Sequence, residues 1–227
     1  MAMAVAAIAA TAAPPAEAKI RQMVVFRSGK AVTKSVSTRG VHVKVHRKRC
    51  AVASRTPLAV LVRSHPGRIG LRDFGSCSRR ARDASGLFVR SIRHDRNKGR
   101  KGWEYKVGRK AGTTGAADPT GPFGTGRRLR SGQRVVWFYC VLGDHGCQRS
   151  LAIKVSPQAG GLAVKVVGYD DEGHGVAVAA ATVKAGTASA VTGADGRALL
   201  VLPSGNYRVY AQKKGLVRSF SERARVP

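Results

Sequence analysis

The chain has 227 residues, a hydrophobic fraction of 43% and a formal charge of +29, from 41 Lys and Arg against 12 Asp and Glu. That length holds one or two domains with cores of their own, and the apolar content excludes a wholly disordered chain. Past the N-terminus no run reaches about 18 apolar residues, so no membrane-spanning helix is expected. The charge is local: residues 19–149 carry 31 bases and 6 acids, residues 151–227 carry 10 and 5. Between Lys19 and Arg72 there are 14 bases and no acid. Such a field attracts polyanions and anionic surfaces; it also serves as generic solubilising charge, and the sequence leaves both readings open.

The first 18 residues, MAMAVAAIAATAAPPAEA, are small and apolar and end Ala16-Glu17-Ala18 before Lys19. This reads as a secretory signal peptide with an A-x-A cleavage site, although no Lys or Arg precedes the apolar run. The expected location of the mature chain is secreted, extracellular or at the cell surface. Four cysteines, Cys50, Cys77, Cys140 and Cys147, suit that compartment as two disulfides with three possible pairings. Proximity across Gly143-Asp144-His145-Gly146 favours Cys140 with Cys147, leaving Cys50 with Cys77. There is no C-x-x-C pair, so no zinc site is expected.

In chain order, Val24-Val25-Phe26 reads as a strand. So does the run from Val41 to His46, whose valines alternate with His42, Lys44 and His46. Thr56-Pro57-Leu58-Ala59-Val60-Leu61-Val62-Arg63 reads as a short helix with Thr56 as N-cap and Pro57 in the first turn. His65-Pro66-Gly67 ends it. Residues 87–92 form a strand, residues 93–101 a basic loop, and residues 103–107 resume the sheet. Residues 112–126, GTTGAADPTGPFGTG, form a long loop. The apolar run 135–142 reads as a strand buried on both faces. Residues 156–161 read as a linker between domains at 19–155 and 162–227. Beyond it, expected strands at 162–167, 176–183, 198–202 and 207–211 are punctuated by Asp-Gly and Pro-Ser-Gly-Asn turns. That spacing indicates a small β-sandwich.

Catalytic patterns are missing. There is no G-x-S-x-G, the cysteines are expected to be oxidised, and the six acids of residues 19–149 are scattered. Asp170-Asp171-Glu172 is the one acidic cluster and lacks EF-hand spacing, so it reads as a polar turn rather than a calcium site. The 112–126 loop matches neither phosphate-binding glycine pattern. Trp103, Tyr105, Trp137 and Tyr139 alternate along their strands, which suits a small core better than a stacking platform. No enzyme, cofactor or metal site is expected.

Three motifs carry a resemblance. They are Gly86-Leu87-Phe88-Val89-Arg90-Ser91-Ile92, then Gly102-Trp103-x-Tyr105-x-Val107, then Leu129-x-x-Gly132-x-x-Val135-x-Trp137-x-Tyr139. Residues 58 to 155 resemble the transcobalamin C-terminal-like domain, a β-grasp-type module of secreted bacterial proteins. Gly108-Arg109 stands where that family usually has an Asn-Gly turn, and Gln133 where it has an acid. The resemblance implies a corrinoid-binding relative, although most bacterial members have no assigned ligand. Downstream, Val178 to Val183, Thr192-Gly193-Ala194-Asp195-Gly196-Arg197-Ala198 and Leu202-Pro203-x-Gly205-x-Tyr207-x-Val209-x-Ala211 resemble a carboxypeptidase regulatory-like, prealbumin-type sandwich. Ala180 replaces the usual glycine there. The expected fold is therefore mainly β with one short helix: a β-grasp-type domain followed by a small β-sandwich.

The function expected from these readings is non-enzymatic binding outside the cell. The partner is an anionic wall polymer or other extracellular ligand, with peripheral association with the cell surface. Export argues against intracellular nucleic acid, while extracellular DNA stays open. The expected contact residues are Arg93, Arg96, Lys98, Arg100, Lys101, Arg127, Arg128 and Arg130, and the chain is expected to be monomeric. The alternative is capture of a small molecule such as a corrinoid by the aromatic strands and the 112–126 loop.

Overall fold

The computed structural model describes residues 19–75 and 77–227. The expected signal peptide lies outside the described residues. The first half contains β1 (Lys19–Val25), β2 (Ala31–Ser37), β3 (Val41–Val45), β4 (Lys48–Val52), α1 (Pro57–Arg63) and β5 (Ile69–Asp73). It continues with β6 (Leu87–Ile92), β7 (Asp95–Arg96), β8 (Lys101–Val107), β9 (Lys110–Ala111) and β10 (Arg134–Val141). The second half contains β11 (Ser150–Gln158), β12 (Gly161–Tyr169), β13 (Gly175–Ala177) and β14 (Thr182–Ala185). It ends with β15 (Ala188–Val191), β16 (Arg197–Val201), β17 (Gly205–Gln212) and β18 (Glu222–Val226).

A five-stranded sheet runs β2-β1-β10-β8-β9. Strand β10 is parallel to β1 and antiparallel to β8. A hairpin, a helix and a returning strand placed beside the first is the β-grasp arrangement, and the parallel pairing requires such a crossover. The helix forms as its sequence predicts: the Thr56 side chain accepts from the Ala59 N–H at the N-terminus, and Pro57 opens the first turn. Helix residues Leu58, Ala59, Val60 and Leu61 are buried against Ile20, Val24, Trp103, Tyr105, Trp137 and Tyr139 on one face of the sheet. The opposite face buries Met23, Val25, Val136, Phe138 and Cys140 under Val217 and Phe220. Strand β10 is thus enclosed on both faces, which explains its unbroken apolar run.

The second half is a sandwich of two four-stranded sheets. One joins β11, β12, β13 and β16, the other runs β15-β14-β17-β18, and Leu162, Val164, Val166, Val183, Leu200 and Val209 lie buried between them. Two expectations are corrected here. Residues 156–161 are not a linker: Ser156, Pro157 and Gln158 belong to β11, which turns at Ala159-Gly160 and pairs with β12. Proline, serine and glycine at a hairpin tip have the composition of a linker. The expected strand at 176–183 is divided between β13 and β14 by a turn in which Ala180 takes φ +52°. The left-handed region disfavours any side chain with a Cβ. Strands β2, β4, β5, β7, β9, β11, β15 and β18, which the sequence reading passed over, complete the sheets.

Both cysteine pairs are bonded, Cys50 to Cys77 and Cys140 to Cys147. Two disulfides suit an oxidising compartment. Among the described residues no helix is long and apolar enough to cross a membrane.

The grasp sheet and the sandwich meet at Lys106. Its side chain is fully buried, and its ammonium donates to the carbonyl oxygens of Tyr169 at 3.1 Å and Asp170 at 2.8 Å. It also pairs with Asp171 Oδ1 at 3.0 Å. The other oxygen of Asp171 accepts from the Cys147 N–H at 2.9 Å. Gly146 makes that approach possible, because a Cβ there would lie 2.5 Å from Asp171 Oδ2. Removing one partner of a buried ion pair costs about 3–5 kcal/mol. Lys106→Met should therefore lower unfolding stability by about 3 kcal/mol in urea denaturation. Ala180→Gly should raise it by about 0.5–1 kcal/mol, the left-handed penalty less the added unfolded-state entropy.

Candidate functional site

The surface sheet β5-β6-β7 carries a basic groove. A groove of about 470 Å³ on it is lined by Arg68, Arg90, Arg93, His94 and Arg96, together with Gly70, Leu71 and Ser91. No carboxylate lines it. Strand alternation accounts for the arrangement: Leu87 and Val89 point inward, Phe88 and Arg90 outward. A second groove of about 390 Å³ adjoins at Phe88 and is lined by Lys98, Arg100, Lys101, Glu104 and Leu142. Phe88 and Phe74 are exposed and meet edge to face at 5.9 Å, with the Arg72 guanidinium 4.4 Å from the centre of the Phe74 ring.

The core holds this surface in place. Buried Trp103 donates from Nε1 to the Asp95 carbonyl at 2.8 Å, and the Tyr139 hydroxyl donates to the Arg96 carbonyl at 2.7 Å. Asn97 donates to the Val89 carbonyl at 3.0 Å and accepts from the Trp103 N–H at 3.0 Å. Residues 93–101, expected as a loop, are thus an ordered turn containing β7, with its backbone clamped from below. Three of its charged side chains take part as well: Asp95 accepts from the Arg27 N–H at 2.9 Å, Arg100 donates to the Gly143 carbonyl at 3.4 Å, and Arg93 is the third. Arg93 donates to the Pro66 carbonyl at 2.6 Å and stacks over Phe26 at 4.6 Å, so it is part of the scaffold.

Of the eight expected contact residues, Arg93 and Arg96 share the first groove, and Lys98, Arg100 and Lys101 share the second. Arg127, Arg128 and Arg130 precede β10, whereas Lys101 pairs with Val141 at the far end of that strand. The fold thus separates the two sets by the length of β10. Arg128 is further occupied with the Pro119 carbonyl at 2.7 Å. Sequence reasoning missed Arg68, Arg90 and His94 as groove residues. The outward alternation of β6 marks Arg90; nothing local marks Arg68, which the β5–β6 pairing brings alongside.

The four motif aromatics are core residues. Trp103, Tyr105, Trp137 and Tyr139 are all buried. Trp103 packs edge-on to Tyr139 at 5.8 Å, and Tyr105 is tilted against Trp137 at 5.3 Å. The 112–126 loop is packed down on them. Tyr105 donates to the Thr114 carbonyl at 2.9 Å, Thr114 Oγ1 donates to the Gly121 carbonyl at 2.7 Å, and the Ala116 carbonyl accepts from the Leu58 N–H at 2.8 Å. Gly112 lies so close to Tyr105 that a Cβ would stand 2.1 Å from its ring. The loop's polar backbone is used in holding itself and the helix N-terminus rather than presented to an anion.

The acidic turn is engaged as well. Its carbonyls and Asp171 already hold the Lys106 ammonium. Asp170 accepts from the His174 N–H at 2.7 Å and pairs with Arg149 at 3.5 Å. Partial desolvation pushes its carboxyl up, and the His174 N–H with the His174 and Arg149 charges pulls it further down, to below the usual carboxylate range. Asp170, Glu172 and His174 bring one ligand atom each within 4.8 Å of one another at the surface.

No protein-family model, curated protein or solved structure matches this chain.

Burial pushes the Tyr105 hydroxyl up to about 12, from an ordinary tyrosine value of about 10. The folded chain therefore holds that proton more tightly than the unfolded chain does. Its contribution is whole below pH about 10 and is lost as pH rises toward about 12. Between pH about 9 and about 11.5 the parent should lose about 2 kcal/mol more stability than Tyr105→Phe, compared by urea unfolding at each pH.

Proposed function

We propose that this is a non-enzymatic, exported or cell-surface binding protein that engages an anionic extracellular polymer, such as a wall polymer, through the arginine groove on β5-β6-β7. One observation carries the reading: five cationic or imidazole side chains line a groove without a carboxylate, on a backbone pinned by the aromatic core. Generic solubilising charge has no need of such an arrangement, and elsewhere in this half the acids are spent locally. Asp73, Asp83, Asp95 and Asp118 all accept from nearby backbone or hydroxyl groups. Both cysteine pairs are bonded, which leaves no thiol nucleophile among the described residues. Export and the resemblance to a transcobalamin C-terminal-like module with a prealbumin-type sandwich belong to this same proposal. The sandwich then serves as the spacer that presents the groove, and the chain acts as a monomer.

The alternative, capture of a corrinoid, has weaker support. The aromatic strands and the 112–126 loop it relied on are packed together. The cleft between the two halves holds about 280 Å³, below the range of about 300–1,000 Å³ that encloses drug-sized ligands.

The test is co-sedimentation of the chain with purified bacterial wall across a salt series. Arg68→Ser, Arg90→Ser and Arg96→Ser together should weaken retention by about tenfold or more and flatten its salt dependence, because each lost contact removes one counterion-releasing charge. Arg127→Ser, Arg128→Ser and Arg130→Ser together should have a smaller effect. Equal weakening by the two sets would show attraction by total charge and remove the groove from the proposal.

A further inference from the structure

A second site lies away from the groove, in the cleft where the grasp sheet faces the sandwich. It is a cavity of about 280 Å³. Met23 and Val136 form its apolar wall on the grasp side, and Leu151 and Phe220 close it from the other. Met23, Val136, Leu151 and Phe220 are all buried. Ligand sites form preferentially in such clefts, with apolar walls and a few placed polar groups.

The charges in this cavity do not balance. Its one carboxylate, Glu222, is already used: it pairs with Arg134 through both oxygens and with Arg21 at 3.2 Å. Two other lining guanidiniums, Arg109 and Arg218, have aromatic rings as neighbours instead of acids. Arg109 stacks over Tyr169 at 4.5 Å and Arg218 over Tyr210 at 3.9 Å. The Nε of Arg218 is buried and has no acceptor. A buried N–H on a cation without an acceptor is unfavourable, and more so than a neutral one. Where this guanidinium lines the cavity, an anionic oxygen is a stronger partner for it than any neutral acceptor.

We propose that the cleft binds a small organic carboxylate with a short apolar body, its carboxylate on Arg218 and Arg109 and its body against Met23, Val136 and Phe220. The volume limits the body to about the size of one ring or a short branched chain, below the drug-sized range. The apolar walls select against inorganic phosphate, which offers the same charge but nothing to bury. This site is independent of the arginine groove, and neither depends on the other.

The experiment uses the full chain with its methionines labelled as 13C-methyl. The chain has three methionines, of which Met23 alone lies beyond residue 18, so one resonance reports the cavity wall. Benzoate is the probe, with benzyl alcohol and inorganic phosphate as controls for the charge and for the apolar body. Benzoate should shift the Met23 methyl with a Kd on the order of 1 mM or tighter, within reach of a ligand of this size. Both controls should bind at least about tenfold more weakly. Arg109→Gln, at an exposed position that does not test folding, should weaken benzoate several-fold, and Arg218→Gln by about tenfold or more. A Met23 methyl unmoved by benzoate would overturn the site. Phosphate binding as well as benzoate, or full benzoate binding by both arginine variants, would overturn the assignment to an organic carboxylate held by these arginines. If Arg218→Gln does not fold, the Arg109→Gln result and the two controls decide.

Discussion

A single buried ammonium joins the two halves of this molecule. Lys106 lies on the face of β8 opposite Trp103 and Tyr105, where an apolar residue would extend the packing around Phe138. Instead it carries its charge to the turn after β12 and finds two carbonyls and Asp171 there. A fully buried lysine survives only with such saturation, since its desolvation is large and its partners must offset it. The requirement also runs outward. Asp171 must present its second oxygen to Cys147, so the disulfide turn is held in the same network as the interface. The cleft that faces β11 and the strap at 217–220 takes its shape from this registration of one sheet on the other.

The same division of labour recurs at the basic surface. Backbone carbonyls of Asp95 and Arg96 are satisfied from below by Trp103 and Tyr139, so the turn takes its form from the core and recruits only some of its own charged side chains. Like charges gathered in one groove repel each other, and the cost is borne by a rigid scaffold rather than by local ion pairs. Where an arginine is needed for structure, as Arg93 is over Phe26, it has a carbonyl and a ring as partners. The cleft shows the contrasting case: Arg218 is partly desolvated, so an anion on it gains more per contact than one at the exposed groove, with less dependence on salt.

Much of the fold was legible in local patterns. The buried run of β10, the Thr56-Pro57 helix start and the Asp-Gly turns of the sandwich are each written in a few adjacent residues, because capping, turn formation and strand burial are decided by nearest neighbours. Ala180 shows the limit. Its run of small apolar residues reads as one strand, and the backbone turns there because β13 pairs with β12 in one sheet and β14 with β17 in the other. The apparent linker at 156–161 failed for a similar reason: its composition is that of any turn, and only the β11–β12 pairing tells a hairpin from a tether.

The sequence by itself determined the class of this protein: mainly β, disulfide-bonded, with its positive charge concentrated in one half. Those properties are sums over residues or short-range preferences, and both are independent of how distant segments meet. Tertiary structure alone decided which charges act together. It brought Arg68 beside Arg90 and Arg96, sent Arg127, Arg128 and Arg130 to the other end of β10, and gave the acidic turn a lysine from 64 residues earlier. It also left Arg109 and Arg218 facing a cavity without a carboxylate to spare. Partner choice among charges depends on distance and desolvation across strand pairings, and no local pattern encodes either.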